Sequence, residues 1–295
     1  MSMQEKELAV TGGSLYYGTE DGRAVITRFN GMASEVRLPE RIEGLPVTRI
    51  EKKAFLSRKN LRKVFLPDSM EEIGDWAFAY CGGLKEVRLP CREVRFGKAV
   101  FMECGCLERL TGTGARAELL AAAVTALDAY YLLEPRAAGS GEWLAKWDNR
   151  LMAVMRTPET EGYSRQVLCG EEDYGSTDLS AYTSGRRRQK ARLALLRLLF
   201  PEALSEDNRA FLEDYLRGHA KGSASGEEAW QVVLEEHGSD RAYYSLFAEL
   251  GCISEENFDE SFRDIGEEYP EMKAFFLRYK EERLGMKDFF EELEL

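Results

Sequence analysis

The stretch NLRKVFLPDSMEEIGDWAFAYCGGLKEVRLP, residues 60–90, nearly repeats itself at a step of 23, and that step constrains the fold more than any other property of the chain. A shift of 23 aligns Ile50, Ile73 and Phe96; Ala54, Ala77 and Val100; Phe55, Phe78 and Phe101; Leu61, Leu84 and Leu107; and Val64, Val87 and Leu110. Apolar columns at identical phase read as one core built coil upon coil, with the phenylalanines as a stacked spine. Cys81 and Cys104 share a further column and read as small buried hydrophobes. Within each unit the pattern LxxVxL alternates apolar and polar residues as a half-buried strand does. Pro67 and Pro90 close these strands, since proline has no N–H for a ladder. The same strand occurs once upstream as Glu35-Val36-Arg37-Leu38, 28 residues ahead of its successor, and the five extra residues fall near RIEGLPVTRI, where a turn can widen.

A period in the twenties with such a strand is the signature of a leucine-rich solenoid. The segments DGRAVITRFNG, LPERIEGLPVTRIEKKAF, VFLPDSMEEIGDWAFAYCGGLKEVRLP and VFMECGCLERL resemble the BspA-type leucine-rich repeats over roughly residues 14–111. Ser69 and Arg92 stand where ordinary leucine-rich repeats place an asparagine, and Gly112 occupies a strand-leucine position, so the solenoid is expected to end there.

Side chains pointing away from the core form two rows on the predicted concave sheet: Glu35, Lys63, Glu86, Arg109, and Arg37, Phe65, Arg88, Thr111. Arg37, Lys63, Phe65, Arg88 and Arg109 are the candidate protein-binding residues, because arginines around an aromatic are the composition of an interface hot spot. The alternative is a solvated charged strand surface.

Residues 1–114 carry 18 basic and 16 acidic side chains, and residues 115–295 carry 22 and 36. The expected organisation is therefore a leucine-rich-repeat domain with an N-terminal β cap over 1–114, then an all-α domain over 115–295; the class is α+β, a short right-handed β-solenoid followed by helical repeats. ARAELLAAAVTALDAYYLL, GEWLAKWDNRLMAVM and GRRRQKARLALLRLLF have helical spacing. Residues 157–183, including GEEDYGS, read as a surface loop. A second step, of 32, aligns NRAFLEDY, DRAYYSLF and MKAFFLRY, with Ala210, Ala242 and Ala274 placed to let helices approach closely. The rhythm resembles that of ankyrin repeats, without their TPLH helix start.

Catalytic constellations are not evident. His219 and His237 fall at helix ends beside glycine, where histidine meets terminal carbonyls, and neither has a cluster of partners at ligand spacing. Cys104-x-Cys106 lacks the second ligand pair of a zinc site, and GTG at 112–114 lacks the Lys-Ser/Thr of a phosphate loop. The dense basic run Arg186-Arg187-Arg188, Lys190 and Arg192 reads as an intramolecular partner for acidic helices ahead of a nucleic-acid contact. The net charge of −12 disfavours nucleic acids and anionic membranes. Six cysteines without framework spacing suit reduced thiols in the cytoplasm, and the opening residues show no export signal. No cofactor and no metal is expected. The function that follows is a non-enzymatic interaction or scaffold protein with a protein partner, in which oppositely charged halves allow a homo-oligomer. The alternatives are an adhesin-like binder of host or matrix protein, which the BspA resemblance implies, and an enzyme with a cryptic site in the helical half.

Overall fold

The computed structural model describes residues 4–90, 92–112, 116–134, 136–164 and 178–285. The chain divides into two compact units, Met1–Arg150 and Leu151–Leu295.

The first unit opens with an antiparallel cap. β1 (Lys6–Val10), β2 (Gly13–Glu20) and β3 (Arg23–Gly31) pair as a meander, and β3 then runs parallel to β6 (Leu45–Ile50). From β6 the same sheet continues through β8 (Glu72–Ile73) and β10 (Arg95–Phe96). A second sheet is purely parallel, in the order β11 (Arg109–Thr111), β9 (Glu86–Arg88), β7 (Lys63–Phe65), β4 (Glu35–Arg37). Each coil of the solenoid adds one short strand to each sheet, so the expected β-solenoid with its β cap is what forms.

The 28-residue first coil has a structural cause. β5 (Arg41–Ile42) folds back on β6 through Glu43 and Gly44, both at positive φ, the left-handed pair that a tight hairpin requires. This small hairpin absorbs the extra residues, which is why β6, β8 and β10 stay in register at a step of 23.

Side chains on the inner face of the parallel sheet, Val36, Val64, Val87 and Leu110, are all buried. Behind them Phe55, Phe78 and Phe101 stack at ring-centroid separations of 4.9 and 5.7 Å. Phe29 of the cap extends the stack at 5.4 Å, a spine member that the 23-residue step does not reach. Between the sheets, a third ladder of hydrogen bonds joins successive turns: Phe29 N–H to Ala54 O, Phe55 N–H to Ala77 O, and Phe78 N–H to Val100 O, at 2.8 to 3.0 Å. The Cys81 and Cys104 thiols donate to Phe55 O and Phe78 O of the preceding coils at 3.0 and 3.1 Å. Burial pushes these thiols up, Cys81 to about 11 and Cys104 to about 12, so they remain protonated donors. The turns impose a recurring backbone condition: Lys53, Trp76 and Ala99, and again Ser57, Tyr80 and Glu103, sit at φ between 49° and 62°.

The solenoid closes as α1 (Ala117–Thr125) packs on β11. α2 (Gly141–Arg156) follows, its Trp147 indole donating to Leu119 O at 3.0 Å and its Trp143 indole to Leu132 O at 3.0 Å. The last described strand thus ends at Thr111, whereas the compact unit continues to Arg150.

Among its described residues the second unit is all-α. α3 (Leu179–Leu199) is its central helix, against which α4 (Glu206–Arg217), α5 (Glu228–Glu236) and α6 (Arg241–Glu249) pack; α7 (Phe258–Ile265) and α8 (Pro270–Tyr279) complete it. Residues 165–177 of the expected loop over 157–183 lie outside the described residues, GEEDYGS among them, and the loop is shorter than expected at its far end because α3 already begins at Leu179. The 32-residue step is visible as α4, α6 and α8, but the role given to the alanines is overturned. Ala210, Ala242 and Ala274 are exposed, and the inward column is Leu212, Tyr244 and Phe276. Helices that turn a large side chain inward every second element pack around a shared core, here Trp230 with Tyr244, Phe247 and Phe276 at 5.9 to 6.1 Å. No helix among the described residues is long and apolar enough to cross a membrane.

Candidate protein-binding face

The outer face of the parallel sheet carries the predicted residues in the predicted rows. Strand pairing places Glu35 beside Lys63, Lys63 beside Glu86 and Glu86 beside Arg109; the next row runs Arg37, Phe65, Arg88, Thr111. A parallel ladder forces this arrangement, since side chains of one phase point to one face and neighbouring strands lie about 4.8 Å apart.

Electrostatically the first row is an alternation of acid and base, which composition alone does not reveal. Lys63 Nζ lies 3.7 Å from the Glu86 carboxylate, Arg37 Nε 2.8 Å from Glu35, and Arg109 Nε 3.4 Å from Glu118 of α1. Lys85 is likewise 3.4 Å from Glu108 at the edge of the face. Each of these pairs is solvent-screened and contributes at most about 1 kcal/mol. The basic character read from the sequence is therefore largely neutralised within the face itself.

Arg88 differs. It is exposed, and no carboxylate pairs with it among the described residues. It stands beside Phe65, whose ring carries the Arg37 guanidinium 3.5 Å from its centroid. Such stacking holds a cation over an aromatic while leaving the rest of the ring available. Phe65, half-buried between two arginines, is thus an apolar spot with charge on both sides.

The other sequence candidates fall elsewhere. In the second unit the basic run is consumed internally: Arg187 bonds Glu228 at 3.1 Å, Arg188 bonds Glu235 at 2.6 Å, Arg192 holds Glu236, and Lys190 reaches Glu159 and the Thr157 carbonyl at 2.6 Å. That is the intramolecular pairing expected of it. His219 lies past the end of α4, its Nδ1 2.8 Å from Tyr215 O, and His237 caps α5 and stacks on Tyr243. Cys104 is buried and Cys106 exposed, so the pair does not face one site; Cys91 and Cys169 lie outside the described residues. Among the described residues no three His, Cys, Asp or Glu side chains come together as a metal cage.

Residues 34–115 match the family of the BspA type leucine rich repeat region in six copies. The match begins at β4, so the antiparallel cap, placed within the resemblance at sequence level, precedes it. Among solved structures, a T. pallidum leucine-rich repeat protein is similar at 27% identity over 37% of this chain and 65% of its own, with a TM-score of 0.29. A leucine-rich repeat protein from Bacteroides capillosus is 29% identical over 35% of this chain and 79% of that one, with a TM-score of 0.31. A leucine-rich cell surface protein from Faecalibacterium prausnitzii is 25% identical over 37% of this chain and 32% of its own, at 0.31. This chain therefore spans just under two thirds of the T. pallidum protein. No curated protein matches it. The ankyrin-like rhythm of the helical half gains no support from these comparisons, and several helices converge on α3 instead of stacking as successive pairs.

Proposed function

We propose that this is a non-enzymatic interaction protein that engages a protein partner through the outer face of the β4-β7-β9-β11 sheet. One observation carries the reading: Phe65 sits between Arg37, which is stacked on it, and Arg88, which has no carboxylate partner among the described residues. An unpaired guanidinium beside a half-buried ring supplies both directional hydrogen bonds and apolar area, the combination found at the energetic centre of interfaces. The surrounding ion pairs act as a rim that sets orientation and contributes little affinity. Leucine-rich repeats in general serve binding, which agrees with this assignment.

The test uses the full chain as bait in lysate of the source organism, with a variant carrying Phe65→Ser and Arg88→Glu. This choice leaves the three carboxylate pairs of the face in place. A protein retained by the wild type and lost by the variant is the expected result, with a loss of roughly tenfold or more in affinity for the purified partner. Equal recovery by both chains removes the sheet face from the function.

A further inference from the structure

Most cations of the second unit are engaged within it, and Arg156, Arg186 and Arg263 lie against the Phe211 ring, the Gln189 amide and the Asp259 carbonyl. Arg187, Arg188, Lys190, Arg192, Arg217 and Lys221 each hold a carboxylate within the unit. Arg241, Arg278 and Arg283 hold none among the described residues, and all three line one groove of about 640 Å³. In a unit whose acidic residues outnumber the basic by 31 to 18, guanidinium groups without a carboxylate gathered in one place require explanation.

The groove follows from helix periodicity. Arg241, Ser245, Ala248 and Glu249 occupy one face of α6, and Phe275, Arg278, Tyr279 and Glu282 occupy one face of α8 and the turn after it. Tyr279 ties the floor together, its hydroxyl donating to Ala248 O at 3.1 Å. The Arg241 guanidinium lies 5.4 Å from the Phe275 ring centroid, so cation and aromatic are already side by side. Glu249 and Glu282 also line the groove, leaving it one positive charge in excess. Those two carboxylates repel a dense polyanion such as a nucleic acid. Separated carboxylates interleaved with aromatic side chains instead meet the arginines singly and the rings of Phe275 and Tyr279 by stacking.

We infer that the groove between α6 and α8 is a docking site for an acidic, aromatic-bearing peptide segment of a partner protein. It lies beyond the sheet-face reading and stands on the second unit alone.

Fluorescence anisotropy of the labelled peptide EDFEEFLEE with the full chain tests it, with the amide twin QNFQQFLQQ as the neutral control. The chain binds the acidic peptide saturably. The combined substitution Arg241→Gln, Arg278→Gln, Arg283→Gln weakens that binding roughly tenfold, the amide twin binds as weakly as the variant does, and Arg88→Glu leaves it unchanged. All three arginines are exposed, so the variant keeps its fold, which far-UV circular dichroism verifies. Equal binding by wild type and triple variant overturns the proposal. So does displacement of the peptide by a single-stranded oligonucleotide at lower concentration than by unlabelled peptide. Loss on Arg88→Glu alone would return the acidic ligand to the sheet face and leave the groove without it.

Discussion

Ala99 illustrates how much a single backbone angle can decide. It sits at φ 49° in the turn where Trp76 and Lys53 occupy the same conformation one and two coils earlier. A left-handed residue with a Cβ costs on the order of 1 kcal/mol, and the chain tolerates that cost in every coil because the turn ladder fixes the angle. Glycine removes the clash, at the expense of extra freedom in the unfolded chain. Ala99→Gly is expected to leave stability unchanged or raise it by up to about 1 kcal/mol. The buried Ala77→Gly, in an ordinary conformation, is expected to lower it by a similar amount. Urea midpoints of the two variants check the contrast. These left-handed columns were not legible in the sequence, since neither Lys, Trp nor Ala at this position signals positive φ. The phenylalanine spine was, because its residue type and phase both repeat.

At the level of elements, α3 and α5 are joined through charge. Burial alone would raise the Glu236 carboxyl, but hydrogen bonds and attraction from Arg192 and Arg188 outweigh it and hold it below the usual carboxylate range. A carboxyl depressed in the folded state contributes stability that is present above the ordinary carboxylate pKa and is lost as pH falls through its folded value. Glu236→Gln should therefore destabilise the chain by about 1 kcal/mol at pH 7 and by little at a pH below that folded value, where both chains carry a neutral group. Denaturant midpoints at the two pH values measure the difference. The partnering of the basic run was legible, since Arg186 to Arg192 lie in one helix of a strongly acidic half. The inward column of α4, α6 and α8 was misread because the alanine column repeats more visibly than Leu212, Tyr244 and Phe276, which share only size and burial.

Across the whole molecule, the sequence conveyed its β half far better than its helical half. Coil-on-coil packing forces each position to meet its own equivalent, so the rows Glu35-Lys63-Glu86-Arg109 and Arg37-Phe65-Arg88-Thr111 follow from arithmetic. Helices converging on α3 meet unlike residues, and no fixed step predicts those meetings. The neighbours on the candidate face were thus legible, while its internal neutralisation by Glu35, Glu86 and Glu118 required distances. The 23-residue step also makes length an adjustable quantity. A chain with residues 64–86 duplicated in frame would lengthen both sheets by a strand and the ring stack by one phenylalanine, giving a yardstick whose graduations are whole coils. Its cooperative urea transition should steepen with the added buried surface. Evolution, or an engineer, could then alter the reach of the binding face without redesigning any part of it.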